Sequence, residues 1–302
     1  MSWRKLGLVW GANGSLPALL THAANPTVEA LGGDALRVYF AGRDALNRSS
    51  IGSIDLCIDG DGRWALIDPL PKLVLSPGPV GTFDDSGCVP ACVLDWQGET
   101  FLYYLGWNLG VTVPWRNSIG LARRTAPDGA FERVSPAPVL DRNRHDPFSI
   151  SYPWVMPDGD GLRMWYGSNL AWGAKPETMA HVIKTARSSD GILWSPSGKV
   201  AIGLDGDGEY ALSRPCVRRQ GDDWRMWYSY RGAAYRIGYA RSHDGETWRR
   251  QDENAGIEPS ATGWDAGAVQ YAYVFDHAGR QFMFYNGRNY GIDGFGLAIL
   301  ET

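Results

Sequence analysis

The chain has 302 residues, is 44% hydrophobic and 21% charged, carries a formal net charge of −4, and contains 14 Trp, 14 Tyr and 9 Phe. This composition supplies a sizeable core and excludes collagen, coiled coil and intrinsic disorder. Without a basic cluster, nucleic acid and an anionic membrane surface are poor partners.

The N-terminal Met1-Ser2-Trp3-Arg4-Lys5-Leu6-Gly7 has neither a signal-length apolar stretch nor a small-residue cleavage site. No apolar run of about 18 residues follows anywhere. Cys57, Cys88, Cys92 and Cys216 show no metal spacing and read as free thiols, so a cytoplasmic protein is expected.

Five segments then recur along the chain. Leu36–Phe40, Phe101–Tyr104, Leu162–Tyr166, Trp224–Tyr228 and Gln281–Tyr285 each end in two aromatics, and their last residues are 64, 62, 62 and 57 positions apart. Upstream lie Asn25-Pro26, Val89-Pro90, Tyr152-Pro153, Arg214-Pro215 and Gln270-Tyr271, whose second residues precede the matching aromatic by 13 or 14 positions. A third element follows each, as in Ile119-Gly120-Leu121-Ala122 and Ile237-Gly238-Tyr239-Ala240. Aromatic and β-branched residues in rough alternation, bounded by Gly, Asp and Pro, predict strands.

Five repeats of three or four strands predict an all-β fold, a five-bladed β-propeller in a single domain. The predicted blades span approximately 20–70, 84–136, 146–200, 209–252 and 265–302. Strand 4–10 is expected to close the last one. A TIM barrel would need long helical patterns between strands, and none is visible.

In a propeller, residues just before each innermost strand gather at one mouth. Asp84 with Asp85, Asp146, Glu209 and Asp265 hold matched positions six or seven residues before four of the anchors, whereas blade one offers His22 and Asn25. Singly, each acid is an ordinary turn former. Together they predict a carboxylate cluster in which one group stays protonated while another is ionised, as paired-carboxylate cleavage of a glycosidic bond requires.

Trp107, Trp115 and Trp172 sit in loops after second strands, where aromatic faces could cover pyranose rings, and Asn108 adds a polar group. Tyr152 and Tyr271 lie at the anchors themselves. Arg43 with Asp44, His145, Arg214 and Arg231 stand near the same positions. Arginine forks suit carboxylate or phosphate, so an anionic sugar is one expected ligand. No metal site is predicted and no cofactor is expected, although channel carboxylates could hold a structural calcium.

The stretches Tyr39-Phe40-Ala41-Gly42-Arg43-Asp44, Gly81-Thr82-Phe83-Asp84-Asp85-Ser86-Gly87, Tyr104-Leu105-Gly106-Trp107-Asn108 and Gly263-Trp264-Asp265 resemble the five-bladed propeller glycoside hydrolases of families 43, 32, 68 and 130. The resemblance is nearest to bacterial family-32-N-terminal-like proteins. It implies that Glu209 is the general acid and that Asp146, within His145-Asp146-Pro147, tunes it or stabilises the transition state. Asn25 stands where the family's blade-one Asp serves as base or nucleophile, and a neutral amide can do neither. Asp84 or Asp85 would then act as base, with Asp265 tuning or binding.

The expected function is therefore a glycosidase-like enzyme acting on a glycosidic or glycosyl-phosphate bond of a small or anionic sugar. The alternatives are a non-catalytic glycan-binding propeller, or a biosynthetic propeller enzyme performing transfer, elimination or cyclisation.

Overall fold

The computed structural model describes residues 1–173, 179–206 and 208–301. Strand β1 (Trp3–Trp10) comes first. The first blade is β2 (Thr21–Gly32), β3 (Ala35–Arg43), β4 (Ser49–Ile58) and β5 (Trp64–Leu75). The second is β6 (Gly87–Trp96), β7 (Glu99–Leu109), β8 (Trp115–Arg124) and β9 (Glu132–Arg133). Next come β10 (Ile150–Asp158), β11 (Gly161–Ala171), β12 (Ala180–Ser188) and β13 (Ser195–Ile202). The fourth blade is β14 (Ala211–Gln220), β15 (Asp223–Arg231), β16 (Tyr235–Ser242) and β17 (Arg249–Arg250). The fifth holds β18 (Gln270–His277), β19 (Arg280–Asn286) and β20 (Phe295–Leu300), and β1 pairs antiparallel with β20 as its outer strand.

Strands within each blade are antiparallel, and one parallel pair, Ser49 with Gly87, joins the first two blades. The innermost strands touch in a closed cycle, β2 to β6 to β10 to β14 to β18 and back to β2. The result is a five-bladed propeller closed by its own N-terminal strand, as the repeats predict.

Packing explains the repeat. The last aromatic of each second strand, Phe40, Tyr104, Tyr166, Tyr228 or Tyr285, is buried. In four blades the third strand carries glycine opposite it, at Gly52, Gly120, Gly238 and Gly296. A Cβ at Gly120 would lie 2.2 Å from the Tyr104 ring, and one at Gly238 would lie 2.6 Å from Tyr228. The Ile-Gly element is thus the floor on which the ring lies. Because Tyr104 has no room to shift, Gly120→Ala is expected to cost about 3 kcal/mol, at the upper end of ordinary overpacking. Urea denaturation checks this, and an unchanged midpoint would refute the role of the glycine as floor.

Neighbouring blades are latched by the Ser-x-Asp-Gly turns. In blade three, Asp190 Oδ1 accepts from the amides of Ile192 and Leu193, and the Gly191 carbonyl accepts from Trp194 Nε1 at 3.0 Å. The same carbonyl receives the Tyr103 hydroxyl of blade two at 2.7 Å. In blade four, the Gly245 carbonyl likewise receives Trp248 Nε1 and, from blade three, Trp165 Nε1.

Candidate functional site

The acids at matched offsets are all engaged. Asp84, 1% exposed, accepts from the Tyr104 hydroxyl at 3.0 Å and from Arg133 Nε at 2.8 Å. Asp146, 0% exposed, accepts from Tyr166, Ser168, Lys184 and Asn143. Asp265 accepts from Tyr285 and, at 2.7 Å, from Lys5. In each case the tyrosine lies 20 residues after the aspartate.

Blade four varies the theme. Tyr228 donates instead to Asp252 at 2.6 Å, and Arg250 bridges Asp252 to both oxygens of Glu209. Blade one has Phe40, with no hydroxyl to donate, and the Leu19 side chain lies beside it over Gly52. The missing blade-one acid and the missing tyrosine hydroxyl are one change.

The cations come from outer strands, Arg133 on β9, Arg250 on β17 and Lys5 on β1; in blade three, Lys184 on β12 replaces the floor glycine. Each of these carboxylates is therefore held by partners of its own blade. Burial pushes the Asp146 carboxyl up, but the bonds from Ser168, Tyr166, Lys184 and Asn143 outweigh it and hold it below the ordinary value. Asp265 behaves alike, burial being outweighed by Lys5, Ser260 and Tyr285. Asp85 closes its own loop, accepting from the Gly81 amide and Ser86 hydroxyl.

A different set of residues meets at the axis. Every innermost strand is bulged at its anchor, with pairing broken at Ala24/Thr27, Pro90/Cys92, Ser151/Trp154, Ser213/Cys216 and Gln270/Tyr273. Four anchors sit in the left-handed region: Asn25 (φ 57°), Tyr152 (φ 45°), Arg214 (φ 51°) and Tyr271 (φ 59°). The fifth, Val89, does not adopt it; a β-branched side chain tolerates that region worst. Holding non-glycine residues there costs of order 1–3 kcal/mol each, and such strain concentrates at functional sites.

Contacts between non-neighbouring blades show that these side chains reach across the axis. Tyr152 of blade three meets Tyr271 of blade five at 5.7 Å between ring centroids, and deeper down Trp154 meets Tyr273 at 5.1 Å. Arg214 of blade four donates to the Pro26 carbonyl and Thr27 hydroxyl of blade one and to the Pro90 carbonyl of blade two. The anchor side chains therefore meet across the channel. Asn25 Oδ1, Ser213 Oγ, Arg214 Nε and Gln270 Oε1 are buried at these bulges without a partner among the described residues.

The mouth is walled by the ends of second strands and the loops that follow them. Tyr235 packs on Tyr271 and Tyr290, each at 5.9 Å. Arg231 donates to the Tyr290 hydroxyl at 2.6 Å and lies over the Tyr235 ring. Burial raises the Tyr152 phenol, while its bond with Tyr271 and the charges of Arg214 and Arg43 oppose the rise. Trp107 donates to Ser49 at 2.7 Å and shares an apolar cluster with Tyr152. Asn108 follows it on β7, half-buried. Trp115 and Trp172 meet edge to face at 5.6 Å on the rim of blades two and three.

The mouth thus brings together Asn25, Arg43, Trp107, Tyr152, Arg214, Arg231 and Tyr271. It does not include Asp44, which caps the turn to Arg48, or His145, whose ring packs against Gly198 on the outer strand of its blade. Among the described residues, no three His, Cys, Asp or Glu side chains converge as a metal site. No helix there is long and apolar enough to cross a membrane.

This is the fold of the propeller glycoside hydrolases. A thermostable family-43 glycoside hydrolase superposes with a TM-score of 0.67 at 17% identity, covering 96% of this chain and 92% of that one. The endo-arabinase from Bacteroides thetaiotaomicron gives 0.64 at 14% identity, covering 97% and 98%. A complex of BT0996 with RGII gives 0.76 at 21% identity, covering 99% and 92%. No protein-family model matches the sequence. "Uncharacterized protein Rv1502" of Mycobacterium tuberculosis H37Rv is 46% identical over 304 residues, spanning all of both chains, as is "Uncharacterized protein MT1551" of strain CDC 1551. The chain belongs to the family of these mycobacterial proteins.

Proposed function

We propose that the protein recognises a saccharide at the axial mouth and does not hydrolyse it by paired carboxylates. One observation carries this reading: the four strained anchors that converge on the axis are Asn25, Tyr152, Arg214 and Tyr271, none of them a carboxylate. Paired-carboxylate cleavage needs an acid and a second carboxylate roughly 5–9.5 Å apart across the scissile bond. Glu209 and Asp146, the groups the family resemblance would employ, are instead salt-bridged to Arg250 and Lys184.

Aromatic faces at Tyr152, Tyr235 and Tyr290 suit the apolar side of a pyranose. The fold agrees with this reading, because one structural neighbour is a complex with RGII. Trp107, Asn108, Trp115 and Trp172 would extend the site along the rim of blades two and three.

A panel of neutral and acidic saccharides titrated by calorimetry, with product analysis by mass spectrometry, tests the proposal. The expected result is saturable binding, absent in Tyr152→Ala, with no water added to any glycoside. Glycoside hydrolysis that disappears in Glu209→Gln would overturn the proposal and restore Glu209 as general acid.

A further inference from the structure

The charges around the mouth are unbalanced. Arg43 on blade one bonds to the Asn47 side chain at 2.7 Å, and Arg231 on blade four bonds to the Tyr290 hydroxyl. Arg214 beneath them bonds to backbone carbonyls and a threonine hydroxyl. Among the described residues none of these three forms an ion pair, although most arginines elsewhere in this acidic chain do. The carboxylates of the flanking loops are already engaged, Asp44 with Arg48 at 2.8 Å and Asp293 with Arg288 at 3.0 Å.

Nothing on the mouth-facing anchors offsets this positive charge, since their side chains are Asn, Tyr and Arg. His22, at the entrance of β2, registers it: burial, and then the charge of Arg43, lower its pKa to about 4. The imidazole is therefore neutral at physiological pH and adds no charge to the mouth. A guanidinium is worth most to a ligand when it presents a fork to a planar or tetrahedral anion.

We infer that the saccharide taken by this mouth carries an ionised group, a carboxylate or a phosphate ester, and that Arg43 and Arg231 from two non-adjacent blades read it above the Tyr152 ring. This rests on the mouth being the binding site. Arg214 contributes field from below without touching the ligand, because it is only 2% exposed. Arg231 is held for the task by the rings of Tyr210, Tyr235 and Tyr290, whose centroids lie 5.1–5.8 Å from its guanidinium carbon.

The test compares glucuronate, glucose 6-phosphate and glucose in calorimetric titrations of the full chain at low and high salt. At least one charged sugar is expected to bind tenfold or more tighter than glucose, with an affinity that falls as salt rises. Arg43→Gln and Arg231→Gln are each expected to weaken that charged sugar by about tenfold, since a charge-assisted bond is lost, and to narrow its preference over glucose. The two charged ligands separate the sources: preference for glucuronate identifies a carboxylate, preference for the phosphate an ester. Equal binding of charged and neutral sugars, or indifference to both arginine substitutions, overturns the inference while leaving saccharide recognition intact. If none of the three binds, the mouth is not a saccharide site and both readings fail.

Discussion

Asp146→Ala is expected to destabilise the protein by about 3–5 kcal/mol, the range for removing one partner of a buried ion pair. Asp146 is fully buried and receives hydrogen bonds from Tyr166, Ser168, Lys184 and Asn143. Its loss leaves the Lys184 ammonium, 7% exposed, without its carboxylate, and leaves the Tyr166 hydroxyl and Ser168 without their acceptor. Chemical denaturation would measure the loss directly. Blade one indicates how to reverse it, because there the aromatic is Phe40 and no acid is present. Combining Asp146→Leu, Tyr166→Phe and Lys184→Met should therefore recover much of the lost stability, as apolar replacement of a buried ion pair together with its phenol can. A triple variant as unstable as Asp146→Ala would contradict the comparison between blades.

The same site fixes a pH dependence. Asp146 is held below its ordinary pKa when folded, so it adds stability above the unfolded pKa and loses it as pH falls through the folded value. The Asp146→Ala variant should accordingly show a smaller loss of stability on acidification than the parent.

Deleting residues 1–10 is expected to abolish cooperative folding. The deletion removes β1, which supplies buried Trp3, Val9 and Trp10 and pairs with β20 from Trp3–Leu300 to Trp10–Phe295. It also removes Lys5 from Asp265, and Trp3 from its edge-to-face contact with Trp227 of blade four at 6.2 Å. A freed β20 would present unpaired backbone groups along its edge, a template for aggregation. Size-exclusion chromatography and thermal unfolding of the truncated chain check this. A monomer melting within a few degrees of the parent would show that ring closure contributes little.

Much of the blade repeat is legible in the sequence, because every blade buries an aromatic ring here and four of the five lay it against a glycine. The aromatic pair and the Ile-Gly element are consequences of that packing. The offsets of Asp84, Asp146, Glu209 and Asp265 are equally visible, but offset alone does not say which way a carboxylate turns. The deciding signal is the interval of 20 residues from aspartate to tyrosine, together with the coincident loss of acid and hydroxyl in blade one. Lys184 is legible only in retrospect, as the one residue standing where other blades have the floor glycine.

The axial mouth is harder to read. Asn25, Tyr152, Arg214 and Tyr271 stand out as anchors, yet their left-handed backbone follows from bulges that depend on the partner strand. Tyr235 joins them by packing on Tyr271 and Tyr290 of the next blade, and Gln270 by a bond to the Gly287 carbonyl, contacts that no local pattern encodes. Asp44 and His145 lie near mouth residues in the chain, but their side chains turn into loop and outer-strand contacts.

Calorimetric titration of the preferred saccharide from the panel into Glu209→Gln and Tyr152→Ala separates the two roles most directly. Glu209→Gln is predicted to keep the parent affinity, because Glu209 is engaged by Arg250 and the Asp205 amide. Tyr152→Ala is predicted to lose at least about tenfold through its missing platform. Lost binding in Glu209→Gln with parent affinity in Tyr152→Ala would contradict recognition at the axial mouth.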